Sequence, residues 1–276
     1  MKKRLLFLDL DGTLLNDAKE ITEGNRQALE RALQRGHGVI IATGRPLKSA
    51  LAQAKRLGLD KPGCYTIAYN GAKVYDWAKQ DAIFSRTLTI DSVIRVFDKA
   101  NELGEHIQTY DSLDVLVEPK GEDTALERYC QMVSMTHRVI GDVHTDLVEE
   151  PVKCLVINYE KKDGLLQMQE WIRREMADLD CFFSCEWFLE VVPKGMNKGE
   201  AVKMLCKVLG VEIENAVAVG DAANDLAMLK AAGIGVAMCN GTGEVKAAAD
   251  YITTRDNNHD GVAEVADKFL YEAVEA

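Results

Sequence analysis

The chain has 276 residues, 47% of them hydrophobic and 28% charged, with 33 Lys and Arg against 44 Asp and Glu for a formal charge of −11. The length points to two domains, because a single core stops growing at about 250–300 residues, and the composition, ordinary for a soluble globular protein, argues against long disordered tracts. The acidic balance argues against nucleic acid and anionic membrane as partners, since both are bound through clustered Lys and Arg, and leaves a small metabolite as the expected ligand.

Leu5 to Leu8 form a short apolar run suited to a buried strand, and Thr22 to Arg35 place Ala28, Leu29, Ala32 and Leu33 at helical spacing before a stop at Gly36. Val39 to Ala42, Pro46 to Leu57 and Tyr65 to Ala68 continue as strand, helix and strand, giving a βαβαβ unit. From about Phe84 the grammar changes. Helices are expected over 91–103, 123–134 and 164–177, with strand-like stretches at 115–117, 154–159 and 182–192, a pattern fitting an inserted α+β domain. After Pro193 the first grammar resumes with helix 198–209, strand 216–219, helix 224–232, strand 234–237, helix 243–249, strand 251–253 and a closing helix from Val262. The expected fold is therefore α/β: a doubly wound, Rossmann-like, three-layer parallel-sheet core over 1–82 and 189–276, interrupted by an α+β insertion over 83–188. No apolar run approaches the ~20 residues needed to cross a bilayer, and Asp9 breaks the first stretch before a signal-peptide core could form, so a cytoplasmic location is expected. The seven cysteines lack paired spacing and read as free thiols. No heptad seam marks an oligomer interface, and the oligomeric state stays open.

The chemistry gathers where strands end. Asp9-Leu10-Asp11-Gly12-Thr13 follows the first strand directly, and in an open α/β sheet that position faces the ligand crevice. Two carboxylates two positions apart can flank one site, one as nucleophile and one as acid and base. An Asp-Gly turn would account for Asp11 and Gly12 but leaves Asp9, closing an apolar strand, without a reason. Gly220-Asp221-Ala222-Ala223-Asn224-Asp225 repeats the arrangement after another apolar strand. If the two strands are neighbours, their carboxylates converge and repel, which raises their pKa values unless a divalent cation neutralises them; oxygen-only ligands favour Mg²⁺. Helix capping remains an alternative account of Asn224 and Asp225. Thr43-Gly44-Arg45 offers a hydroxyl and N–H groups before a helix, as an anion site or as an ordinary N-cap turn. Lys198 sits at a helix start, where the macrodipole disfavours it unless an anion lies near.

Together these segments resemble the haloacid dehalogenase-like (HAD) superfamily, and more narrowly its Cof-type phosphatases with a large inserted cap. The resemblance covers nearly the whole chain and rests on Asp9 to Thr13, Ala42 to Arg45, Lys194 to Gly199 and Gly220 to Asp225, in that order; Asn70-Gly71-Ala72 and Asp256 to Val262 also look like family segments. It implies a Mg²⁺-dependent phosphatase acting on small phosphorylated metabolites such as sugar or cofactor phosphates. Asp9 would be the nucleophile that becomes an aspartyl-phosphate, and Asp11 the acid and base. Mg²⁺ would be held by Asp9, the Asp11 carbonyl and Asp221, with Asp225 assisting. Thr43, Gly44, Lys198 and Asn224 would grip the phosphoryl oxygens, joined by the Leu10 N–H, with Arg45 in support. The insertion would act as a lid. The chain departs from the usual pattern at Ala222, where Gly is common, and at Met238-Cys239-Asn240-Gly241, where Met-Gly-Asn-Ala is more frequent.

Two other readings share the same intermediate or residue types. A phosphomutase or phosphotransferase would use the same aspartyl-phosphate. A phosphoryl-accepting receiver also clusters Asp, Thr and Lys, but such modules are about half this length and place the accepting Asp on a middle strand. A dinucleotide-binding oxidoreductase fails because no GxGxxG follows the first strand.

Overall fold

The computed structural model describes residues 2–119, 121 and 123–271. The chain runs β1 (Leu5–Leu8), α1 (Glu23–Gln34), β2 (Gly38–Ala42), α2 (Leu47–Arg56), β3 (Cys64–Ala68), β4 (Lys73–Asp76) and β5 (Asp81–Ser85). It continues through α3 (Ile90–Glu102), β6 (His106–Tyr110), β7 (Val115–Val117), α4 (Thr124–Val133), β8 (His137–Val139), α5 (Val143–Asp146), β9 (Cys154–Ile157), α6 (Asp163–Glu175), β10 (Leu179–Cys185) and β11 (Phe188–Pro193). The last stretch holds α7 (Lys198–Leu209), β12 (Ala216–Gly220), α8 (Leu226–Ala231), β13 (Ile234–Ala237), α9 (Gly243–Ala248), β14 (Tyr251–Ile252) and α10 (Gly261–Ala266).

Two compact units result: Met1–Thr43, Ala50–Ile83 and Asn197–Ala276 form one, and Gly44–Ser49 with Phe84–Met196 the other. The first is built on an eight-stranded sheet in the order β14-β13-β12-β1-β2-β3-β4-β5. β1 lies between β12 and β2, parallel to both, with Leu5 opposite Ala216 and Gly38. Every residue of β1, β2 and β12 is buried, as the continuous apolar runs of strands covered on both faces require. Leu6, Leu8, Val39, Ile41, Val217 and Val219 pack with Ala28, Leu29 and Ala32 of α1 and Val262 and Val265 of α10. Leu5, Phe7 and Ile40, which alternate with them, are also fully buried, and α7 and α8 pack against one another, with α8 against β12 and β13. The sheet is mixed, because β4 returns antiparallel to β3, with Tyr65 opposite Asp76. The sequence pattern did not disclose β4 and β5: each is only four or five residues long, with a few apolar residues beside charged ends, too short a pattern to read as a strand.

The second unit carries a six-stranded sheet in the order β10-β11-β9-β6-β7-β8, antiparallel except where β7 and β8 run parallel. One face packs Val96 and Phe97 of α3 and Leu165, Met168 and Ile172 of α6 onto Ile107, Val156, Leu189 and Val191. The alternate residues form a buried polar row: His106 Nε2 meets Gln108 Oε1 at 3.0 Å, Gln108 donates to the Tyr110 hydroxyl at 2.8 Å, and Tyr110 donates to the Tyr129 hydroxyl at 2.7 Å. Lys153 Nζ and Glu190 Oε2 form a buried ion pair at 2.7 Å, and Ser184 donates to the other Glu190 oxygen. The stretch expected as one strand over 182–192 is a hairpin that turns at Glu186-Trp187, a dipeptide without the Gly, Pro, Asn or Asp that usually marks a turn. β6 and β8 were not expected either: β6 is a buried strand rich in polar residues, and β8 is exposed throughout. Among the described residues no helix is long and apolar enough to cross a membrane.

Candidate active site

Parallel pairing sends β1, β2, β3 and β12 in one direction, so the residues following each strand emerge at one end of the sheet. Asp9 leaves β1 with its N–H still bonded to the Val219 carbonyl of β12 at 3.1 Å, which sets it beside Asp221 at the end of β12. Thr43 leaves β2 and donates its N–H to Ile67 at 2.9 Å, while its carbonyl accepts from the Asn70 N–H at 3.0 Å. The expectation that the β1 and β12 acids converge rested on these strands being neighbours, and they are.

Lys198 opens α7, whose N-cap Asn197 accepts from the Glu200 N–H at 3.0 Å. The anion its position demands is supplied twice over. The fully buried ammonium donates to Asp9 Oδ1 at 2.5 Å and to Asp225 Oδ1 at 2.7 Å. These two carboxylates hold Lys198 charged, above the usual lysine range, in spite of its burial. Asp225 is also fully buried, and its second oxygen accepts from the N–H groups of Asp221 at 3.0 Å and Ala222 at 3.1 Å. Thus Asp225 orients Lys198 with one oxygen and the Asp221 loop with the other.

Asp9 is pushed up to about 8, first by burial and then by the Asp225 and Asp221 carboxylates, against the opposing pull of Lys198. Asp221 rises to about 6, again mainly through burial, although the Thr13 hydroxyl donates to its Oδ1 at 2.8 Å. One oxygen from each of Asp9, Asp221 and Asp225 lies within 4.8 Å of the others. Three carboxylates against one ammonium leave the cluster short of positive charge, and its donors are all oxygen. The residues present therefore fit a hard divalent cation of the Mg²⁺ type.

Asp11 projects from the turn after β1, partly exposed, and its Oδ1 accepts from Lys19 Nζ at 2.9 Å. Gly12 has φ +85°, and a Cβ there would lie 2.5 Å from Asp221 Oδ2, so the turn passes against Asp221 where only glycine fits. Leu10 buries its side chain in the core beneath. Asn224 donates to Asn70 Oδ1 at 3.5 Å. Gly44 and Arg45 follow Thr43 in the loop before α2, both half-buried, in the segment that groups with the inserted unit.

Sequence reasoning missed the hydrogen bond from Thr13 to Asp221, although Thr13 closes the first motif. It noted Asn70 without assigning it a role. Asn70 is buried, its Nδ2 has no hydrogen-bond partner, and both it and Tyr69 hold positive φ, a cost that recurs at functional sites. An Asn-Gly pair one residue past a buried strand is the signal that could have found it.

Known proteins agree with this architecture. A sequence profile of the haloacid dehalogenase-like hydrolases matches residues 6–265. The Bacillus subtilis protein YxeH is 33% identical over 94% of this chain and 96% of its own length. The 5-amino-6-(5-phospho-D-ribitylamino)uracil phosphatase YitU, also from Bacillus subtilis, is 31% identical over 95% of this chain and 96% of its own. The crystal structure of a haloacid dehalogenase-like hydrolase from Bacteroides thetaiotaomicron superposes with a TM-score of 0.87 at 34% identity, covering 97% of this chain and 99% of that one. On this whole-length match, the chain belongs to the haloacid dehalogenase-like hydrolases, in their Cof-type branch, and is a phosphoric monoester hydrolase.

Proposed function

We propose that the protein is a Mg²⁺-dependent phosphatase of small phosphorylated metabolites, sugar or cofactor phosphates, working through an aspartyl-phosphate on Asp9. The observation that carries this reading is the Asp9 carboxylate held 2.5 Å from Lys198 with Asp221 and Asp225 beside it. The uracil-derivative phosphatase among its relatives, whose substrate is itself a small phosphate monoester, supports the substrate class.

In this mechanism an Asp9 oxygen attacks phosphorus while the ester P–O bond breaks, and Asp11 gives its proton to the departing alkoxide. Asp11 then takes a proton from water, whose oxygen attacks the same phosphorus; the bond to Asp9 breaks, releasing inorganic phosphate and restoring the carboxylate. Lys198, Thr43, the Gly44 and Leu10 N–H groups and Asn224 hold phosphoryl oxygens, with Arg45 in support, because phosphoryl transfer depends mostly on positioning and charge stabilisation. Mg²⁺, held by Asp9, the Asp11 carbonyl and Asp221, supplies the positive charge that lets an anionic ester approach ionised carboxylates. Asp225 serves from behind, since both its oxygens already accept protein hydrogen bonds. The inserted unit acts as the cap that selects among esters.

The test is phosphate release from p-nitrophenyl phosphate with MgCl₂, with chelator, and with Asp9→Asn. Chelation should abolish turnover, and Asp9→Asn should lower it by about 10⁴-fold or more, the scale on which an enzyme loses its nucleophile. Undiminished hydrolysis by Asp9→Asn would sink the mechanism.

A further inference from the structure

Three loops, following β1, β13 and β14, are tied together by two asparagine side chains. Asn240 donates from Nδ2 to the Gly12 carbonyl at 2.7 Å, and its Oδ1 accepts from the Asn257 N–H at 3.3 Å. Asn257, only 4% exposed, donates from its own Nδ2 to the Leu15 carbonyl at 3.0 Å and to Asp17 Oδ1 at 3.2 Å. The loop that carries Asn240 also grips the other half of the site. Its Thr242 N–H donates to the Asp221 carbonyl at 2.9 Å, and its Met238 N–H donates to the Gly220 carbonyl at 3.0 Å.

The chemistry of the two positions is specific. The Gly12 carbonyl needs a donor and the Asn257 N–H needs an acceptor, and the Asn240 amide supplies both from one short side chain. An Asp at 240 would set a carboxylate oxygen against the Gly12 carbonyl, and an apolar residue would bond to neither. At the other end, Asn257 spends its amide N–H₂ on a carbonyl and a carboxylate, which no carboxylate side chain could do.

We propose that Asn240 and Asn257 are positioning residues of the reaction centre, a strap that holds the Asp11-Gly12-Thr13 turn at a set spacing from Asp221. The inference rests on the reading of Asp9, Asp11 and Asp221 given above. Gly12 gives the turn backbone freedom that other residues lack, and Asn240 pins the Gly12–Thr13 peptide, the next one after the peptide that carries the Asp11 carbonyl. Thr13 pins the turn to the Asp221 carboxylate, and the β13 loop pins Asp221 through its carbonyl. The strap closes this ring, so the Asp11 carbonyl and the Asp221 carboxylate arrive already spaced for one cation.

The experiment compares wild type with Asn240→Ala, Asn240→Asp, Asn257→Asp and the double variant Asn240→Ala/Asn257→Asp. MgCl₂ is titrated calorimetrically into each protein, and kcat and KM are measured for p-nitrophenyl phosphate. Asn240 is exposed, so Asn240→Ala should melt with wild type while Mg²⁺ affinity and kcat each fall by about 10–100-fold, as for partners that orient metal ligands. KM should change by less than about twofold, because no substrate contact is removed. The double variant should be no worse than the more damaged single one, since one cut opens the strap. Asn240→Ala protein that binds MgCl₂ and turns over like wild type would overturn the proposal. A wild type that binds MgCl₂ but releases no phosphate from any ester would instead defeat the phosphatase reading, and the calorimetric comparison would still decide the strap.

Discussion

Lys198 is fully buried, with its ammonium against one oxygen of Asp9 and one of Asp225. Replacing it by Met leaves Asp9 and Asp225 buried without a counter-charge, and the folded state should lose about 3–5 kcal/mol, measured by denaturant unfolding of Lys198→Met beside wild type. The acids at the site also give stability a pH dependence. Asp9 at about 8 and Asp221 at about 6 both lie above the ordinary value of 3.8, so the folded protein without cation favours their protonated forms. Their contribution is complete below about pH 4 and is lost as pH rises through about 6 and then about 8. In chelator the melting midpoint should therefore decline over that window, whereas MgCl₂ binds the ionised forms and should raise it more at pH 8 than at pH 5. An equal MgCl₂ shift at the two pH values would count against a cation at these carboxylates. At this scale the acids were legible because each closes an apolar strand, where a bare carboxylate has no structural excuse. Asn240 and Asn257 were not legible as a pair, since their roles depend on loops far apart in the chain and brought together only by strand order.

α7 shows how an element carries a functional group. Its N-cap Asn197 starts the helix, Lys198 follows at once, and Gly199 lets the first turn approach α8 so closely that a Cβ would lie 2.2 Å from the Ala227 carbonyl. Gly199→Ala should force the two helices apart and cost about 1–3 kcal/mol by denaturant unfolding, the range for overpacked contacts. It should also lower kcat, because the displaced turn is the one that bears Lys198. Wild-type stability in this variant would show that α7 is not held by that contact. Helices with an apolar stripe, such as α1 and α3, fell within a residue or two of their expected spans, and the parallel strands of the core were equally plain. What stayed hidden were strands whose residues satisfy no single pattern. β6 buries the polar residues His106, Gln108 and Thr109, which only a hydrogen-bonded network makes tolerable, and the β10–β11 hairpin turns on residues that carry no turn signal.

At the scale of the whole molecule, each unit has its own apolar core. One cluster draws only on residues of the first unit, and the other runs from Leu88 to Val191 within the second. A fragment spanning 84–196 should therefore fold without the rest and unfold cooperatively on heating, followed by circular dichroism; a fragment with no cooperative transition would show that its core depends on the first unit. Along the chain alternating strands and helices give way to mixed elements near Phe84 and resume after Pro193, whereas the insertion end expected at 188 falls at the start of β11, which pairs with β9 in the second unit. The pairing of β1 with β12, Leu5 opposite Ala216, has a further consequence for biosynthesis. While the ribosome is still making the insertion, Leu5–Leu8 has no partner on that side, and a fully apolar strand edge stands open to other nascent chains. A central strand of the finished sheet is thus an open edge in the unfinished one. Chaperone binding to ribosome-bound intermediates should concentrate there and end once β12 emerges.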